Sequence, residues 1–265
     1  MKILKDKRPI GVFDSGVGGL SVLKELLKLM PDENYIFVAD QLNIPYGEKT
    51  SRDLERITLK VCDFLEAKRS KIIIAACNTA TCYAIDFLRT RIKTPIVGTV
   101  PAIKPAAMRC KSGIMGVIST PATAKSKYLK NLIKNNAGGL KVLNIGCYNL
   151  ENTVETGSFD TPEVFKLLLK YTRPIKEAGA DTLVLGCTHY PFLKLQIKKI
   201  LGKSVEIIDS GKAIARHVKK ILKKSNANND RNGKISFYTT GDPVKLSKVA
   251  SFLLKKNIKA KHVSL

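Results

Sequence analysis

Residues 72–81 read IIIAACNTAT: three isoleucines and two alanines run into Cys77, and polar residues follow at once. An apolar run this short, rich in β-branched residues, predicts a strand buried on both faces, as in parallel sheets. The next stretch, NTATCYAIDFLRTRI (78–92), predicts a helix. The thiol therefore belongs at the carboxyl end of a buried strand and the start of a helix. The same design returns at 182–191 as TLVLGCTHYP, with Cys187 in the matching place.

Strand–helix alternation extends outward from both stretches. RPIGVFDSGVGGLSVLKELLKLMP (8–31) predicts strand, Gly-rich turn and helix, with Leu20, Leu23, Leu26, Leu27 and Met30 at helical spacing and Pro31 beyond the end. NYIFVAD (34–40) is a strand, QLNIPYGEKT (41–50) a loop, and SRDLERITLKVCDFLEAKR (51–69) a helix with Ser51 as N-cap. TPIVGTV (94–100) is another short strand.

The pattern then restarts. SGIMGVISTPATAKSKYLKNLIK (112–134) predicts strand, polar turn and helix, and LKVLNIGC (140–147) a strand. TPEVFKLLLKYTRPIKEAGA (161–180) is helical with a break at Pro174, DTLVLGC (181–187) a strand, and YPFLKLQIKKIL (190–201) a helix. VEIIDS, GKAIARHVKKILKK, KISFYTTGD and PVKLSKVASFLLKK alternate again, with SNANNDRNG (225–233) a loop of turn formers.

This alternation predicts an α/β protein with parallel, doubly wound sheets. It also predicts two similar halves. IGVFDSGVGG resembles MGVISTPATA, and Gly11 precedes Cys77 by 66 positions while Gly116 precedes Cys187 by 71. The expected domains are 1–97 with 209–265, and 98–208. Ligands of such sheets bind beyond the carboxyl ends of the strands, so facing halves would bring the two thiols to one cleft.

With 265 residues and 44% apolar content, the chain can bury a real core, and no apolar run reaches the length of a membrane span. MKILKDKRPIGVFD is basic without the pattern of a secretory signal, so a soluble, cytoplasmic protein is expected. Its six cysteines include no CxxC, and its three histidines no HxxxH, so neither disulfides nor a metal site is expected. The net charge of +24 opens a nucleic-acid reading. Lysines run from MKILKDK through LKLQIKKI and HVKKILKKS to LLKKNIKAKH, however, and no one arm collects them, which fits a solvated surface. DSGVGGLS is neither a P-loop nor a complete GxGxxG; it reads as a tight turn presenting N–H groups to an anion.

A thiol at a helix N-terminus ionises more readily. Two such thiols on opposite faces of a small substrate can invert a carbon: one removes a proton and the other delivers one. Two buried structural cysteines fit the chain pattern too, but the polar residues after each thiol argue for chemistry. The carbon acid is far weaker than a thiol of ordinary pKa, about 8.5. The site must therefore exclude water and stabilise the carbanion among fixed donors, which predicts closure over substrate.

FDSGVGGLSV, PYG, AACNTAT, GVIST, VETG and LGCTHYP together resemble the glutamate racemase family of cofactor-independent amino-acid racemases, over nearly the whole chain. The resemblance implies two α/β domains related by a pseudo-dyad, with the active site between them and no cofactor or metal. It implies interconversion of L- and D-glutamate, the D isomer supplying peptidoglycan synthesis and so cell shape, and a homodimer. By resemblance Cys77 serves the D side and Cys187 the L side. Asp14, His189 and Glu155 assist proton transfer. Asp14, Ser15, Tyr46, Gly47, Asn78, Thr79, Thr188 and His189 bind substrate, joined by Thr120 and Thr123. Tyr148 stands where the family carries proline, so Glu151 competes with Glu155. Cys62, Cys82, Cys110 and Cys147 match no catalytic position. Aspartate racemase of the same superfamily and a basic nucleic-acid-binding protein remain the alternatives.

Overall fold

The computed structural model describes residues 6–224 and 233–265. Most of the expected loop 225–233, and the first five residues of the basic N-terminus, lie outside the described residues. The elements in chain order are β1 (Ile10–Asp14), α1 (Leu20–Leu29), β2 (Tyr35–Ala39), α2 (Ser51–Ala67), β3 (Ile72–Ala75), α3 (Asn78–Arg91) and β4 (Ile96–Gly98). There follow α4 (Ile103–Ala107), β5 (Ile114–Ser119), α5 (Pro121–Lys125), α6 (Lys127–Ala137), β6 (Lys141–Gly146), α7 (Leu150–Glu155), α8 (Pro162–Glu177), β7 (Thr182–Leu185), α9 (Lys194–Leu201) and β8 (Glu206–Ile208). The chain closes with α10 (Gly211–Lys224), β9 (Ile235–Thr239), α11 (Pro243–Leu254) and β10 (Ala260–His262). No helix among the described residues is long and apolar enough to cross a membrane.

The chain divides into two compact units, Met1–Thr99 with Gly211–Leu265, and Val100–Ser210. The first holds a parallel sheet in the order β10-β9-β2-β1-β3-β4. The second holds a parallel sheet in the order β6-β5-β7-β8. The run β2-β1-β3-β4 of the first has the same connectivity as the whole of the second, which bears out the expectation of two similar doubly wound sheets. In this order the chain reverses direction across the sheet between β1 and β3, and between β5 and β7. A crevice opens beyond the carboxyl ends of the strands at such a point.

Burial follows from the pleat. In the first sheet Phe13, Ile36, Val38, Ile73 and Ala75 face α2 and α3, where Leu54, Ile57, Val61, Leu65, Ala84 and Leu88 meet them. Glycine in each central strand lets a helix lie close. A Cβ on Gly11 would come within 3.1 Å of Leu65 in α2, and one on Gly116 within 2.7 Å of Ile175 in α8.

Several elements differ from expectation for local reasons. Thr50, not Ser51, caps α2: its backbone is extended and its Oγ1 accepts the Asp53 N–H at 3.1 Å. After β5, where a polar turn and one helix were expected, there are two helices, because Ser126 ends α5 and caps α6, accepting from Leu129 N at 3.1 Å. The helix α8 runs on past Pro174 to Glu177. Leu168, Tyr171 and Ile175 anchor it on both sides of the missing bond by packing. Tyr190–Leu193 is a 3₁₀ turn, so the regular helix after Cys187 starts only at Lys194. The strand β10 was not foreseen; it is a short, largely exposed edge strand without apolar alternation.

Candidate active site

In the first unit, Asp14 ends β1 and Cys77 follows β3 by two residues, so both stand at the β1/β3 reversal. Asp14 is fully buried and its Oδ1 accepts the Gly16 N–H at 2.9 Å and the Ser15 hydroxyl at 3.4 Å. Gly19 makes room for it: a Cβ there would sit 2.6 Å from the Asp14 Cβ. The turn after β1 is thus folded back on the strand end by a glycine that no other residue replaces without displacement.

Cys77 is the N-cap of α3, and its Sγ accepts the Ala80 N–H at 3.5 Å. The positive end of a fourteen-residue helix therefore faces the sulfur. Thr81 fixes the backbone beneath it, donating to Cys77 O at 2.9 Å and accepting from Thr99 N at 3.1 Å. Asn78 and Thr79, in the first turn of α3, are buried, and Asn78 Nδ2 donates to Thr99 O at 3.3 Å. Tyr46 packs in the same buried cluster as Cys77 and Ala80, with Gly47 half-buried beside it. Its hydroxyl donates to Asp40 Oδ2 at 2.7 Å. Burial pushes the Tyr46 hydroxyl pKa well up, and the Asp40 carboxylate adds to the effect. Asp40 also accepts from Thr240 at 2.8 Å and from Asn43, so the PYG loop is held by a buried carboxylate.

In the second unit, Cys187 follows β7 by two residues, at the β5/β7 reversal. Its surroundings differ from those of Cys77. Instead of an α-helix N-terminus it has His189, whose Nδ1 lies 3.6 Å from the Cys187 Sγ. The other ring nitrogen lies 2.7 Å from Glu155 Oε1. Glu155 ends α7 and is mostly buried, so of the two acidic candidates it is Glu155 that meets His189. Burial pushes the Cys187 thiol up, and the His189 hydrogen bond opposes it. Burial pulls the His189 pKa down, but its bonds to Cys187 and Glu155 hold it well above the ordinary histidine value. A protonated ring donates from both nitrogens, one to sulfur and one to carboxylate.

Thr188 is buried between these two residues. Thr120 caps α5, accepting from Thr123 N at 3.2 Å and donating to the Thr123 hydroxyl at 3.0 Å. Cys147 and Tyr190 are buried in the same unit. Burial raises both pKa values, with the Cys187 sulfur as a further cause. Sequence reasoning missed the supporting residues Thr81 and Asp40. Thr81 had a signal, standing one helical turn after Cys77; Asp40 had none, because its bond to Tyr46 depends on how the intervening loop folds and Thr240 stands 200 positions away.

Each unit therefore pairs a buried thiol with a polar environment suited to moving protons, at the same place in the same topology. Such an arrangement can exchange protons with a bound substrate, which is the chemistry of an acid–base enzyme. The family model described as Asp/Glu/Hydantoin racemase matches residues 10–218, and the chain belongs to that family of amino-acid racemases, which are isomerases. It is 42% identical over 242 residues to a glutamate racemase of Deinococcus radiodurans, a match covering 90% of this chain and 83% of that one. Among solved structures it is similar to a glutamate racemase isoform from Bacillus anthracis, with a TM-score of 0.88, 33% identity and 97% of each chain covered. It is also similar to the glutamate racemase of Francisella tularensis crystallised in complex with D-glutamate, with a TM-score of 0.86, 31% identity and 98% of each chain covered.

Proposed function

We propose that the protein interconverts L- and D-glutamate by two-base proton transfer at Cα. Cys77 is the base for the D isomer and Cys187 the base for the L isomer. The observation that carries this reading is the matched placement of the two thiols, each two residues past the strand at the reversal point of its sheet. Relatives named glutamate racemase, one of them crystallised with D-glutamate, support glutamate as the substrate.

The steps balance without any added redox agent. With L-glutamate bound, the Cys187 thiolate takes the α-proton. Protonated His189 stabilises that thiolate, and Glu155 keeps the proton on the ring. The Cys77 thiol then donates its proton to the opposite face of the carbanion, giving D-glutamate and a Cys77 thiolate. In the reverse direction the Ala80 N–H and the helix dipole stabilise the Cys77 thiolate, and Asp14 assists. Asn78, Thr79, Thr188, Ser15 and Tyr46 hold the ammonium and carboxylates, with Gly47, Thr120 and Thr123 completing the surroundings. Carbanion stabilisation by such fixed, water-shielded donors supplies much of the rate.

The two units serve as two domains, changing over near Gly98 and Asp209, that close over substrate. The enzyme acts in the cytoplasm as a homodimer, and its D-glutamate feeds peptidoglycan synthesis. The test is a chirality assay of purified protein with no added cofactor, on L-glutamate and on L-aspartate. Formation of D-glutamate in excess of D-aspartate supports the reading; the opposite preference moves the assignment to aspartate.

A further inference from the structure

The charge of +24 has no part in moving a proton at carbon. It is also unevenly placed. Of the 55 residues from Gly211 to Leu265, fourteen are Lys or Arg, two are Asp and none is Glu, a net +12 and half of the chain's excess. The fold gathers these cations further. On one face of the six-stranded sheet α1 packs against both α10 and α11. Toward solvent α10 presents Lys212, Arg216, Lys220, Lys223 and Lys224, while α1 and α11 each add two exposed lysines. Glu25 is the one carboxylate within the three helices, and Lys28 Nζ holds it at 2.7 Å. Asp242 is committed as the N-cap of α11, accepting from Val244 N at 2.8 Å. At the α1–α10 seam a cavity of about 200 Å³ is lined by Lys28, Lys212 and Arg216, with Glu25, Leu29 and Ala215. With Lys28 paired to Glu25, its lining keeps Lys212 and Arg216 as the uncompensated charges, a net excess of two.

The layer's chemistry selects its partner. A helix that lies on a membrane needs an apolar stripe, and the exposed large apolar side chains here, Val244 and Phe252, are confined to α11. A protein interface needs an apolar centre depleted in lysine. A nucleic-acid backbone needs neither, because its phosphates bind dispersed cations by releasing counterions. Lysines without aromatic stacking platforms or a groove-reading element carry no sequence readout. We propose that the α10–α1–α11 layer binds nucleic acid through its phosphate backbone, without sequence preference, as a second activity of this racemase fold.

The experiment is fluorescence anisotropy of the full chain with two labelled DNA duplexes of unrelated sequence. The expected result is equal affinity for both. About four phosphate contacts would make affinity fall about 100-fold between about 50 and 200 mM salt. The variant Lys220→Glu/Lys223→Glu/Lys224→Glu should weaken binding at least about tenfold and flatten the salt slope. The variant Lys127→Glu/Lys130→Glu/Lys134→Glu makes the same charge change on exposed positions of α6, in the other unit. It should alter affinity by less than about threefold. Both should keep racemase activity, which shows that they fold. Absence of binding at low salt, equal losses in the two variants, or binding to anionic lipid vesicles in preference to DNA would overturn the proposal.

Discussion

Glu155 Oε1 lies 2.7 Å from His189 Nε2, although 34 positions separate the two residues. The carboxylate reaches the ring from the end of α7, while the other nitrogen of the ring faces Cys187. The pair gives Cys187 a cationic neighbour whose charge is itself held in place.

That relationship sets a pH dependence. The His189 pKa is raised in the fold. Its contribution to stability is therefore full below the ordinary histidine value, about 6.5. It is lost as pH rises through the higher folded value. The L-to-D rate should share this alkaline limb, since a neutral ring cannot stabilise the thiolate. Glu155→Gln keeps a hydrogen-bond acceptor but removes the charge. The alkaline limb of kcat should move to lower pH, and the rate loss should be smaller than the about 10²–10⁴-fold of deleting an acid–base group. An unmoved limb in steady-state profiles would show that Glu155 does not hold the proton on His189.

Two glycine positions separate chemistry from stability. Gly19→Ala places a Cβ 2.6 Å from Asp14, so the carboxylate must shift. Gly116→Ala places one 2.7 Å from Ile175, in register with Leu183 of the neighbouring β7, four residues before Cys187. Each should cost about 1–3 kcal/mol of stability by overpacking. Only Gly19→Ala should also lower kcat in the folded fraction. Denaturant unfolding combined with kinetics measures both.

A buried ion pair stands at the opposite end of the first sheet from the thiol. Lys71 Nζ meets Glu33 Oε2 at 2.6 Å with both side chains almost fully buried, and also donates to Asp6 O at 2.9 Å. Lys71→Met strands a carboxylate and should cost about 3–5 kcal/mol. The double variant Lys71→Met/Glu33→Leu should recover most of that. Urea midpoints for the three proteins test it; a double variant no better than the single one would mean that Lys71 acts through Asp6 instead.

The buried strands at 72–75 and 182–185 were legible as sequence because both faces are covered and nothing polar interrupts them. The thiols were legible because polar residues follow them immediately. Caps were harder: Thr50 and Ser51 are adjacent hydroxyls, and only backbone geometry separates them. The short helix before Ser126 was hidden because its residues, PATAK, read as a polar turn. The helix expected after Cys187 begins as a 3₁₀ turn. Its local electrostatics therefore rest on a histidine rather than on a helix dipole, a difference that two similar sequence stretches concealed. The Asp40–Thr240 bond and the layer of cations join segments distant in the chain, and only folding brings them together.

The most direct test of two-thiol catalysis is proton NMR of the α-hydrogen in D2O, with L-glutamate and D-glutamate supplied separately. It compares wild type with Cys77→Ser and Cys187→Ser. The account predicts loss of the α-proton signal and racemisation with the wild type from either isomer. Each variant should lose racemisation by about 10²–10⁴-fold. Cys187→Ser should fail first at exchange of the L isomer, and Cys77→Ser at exchange of the D isomer. Undiminished racemisation in either variant, or wild-type racemisation with the α-proton retained, would contradict it.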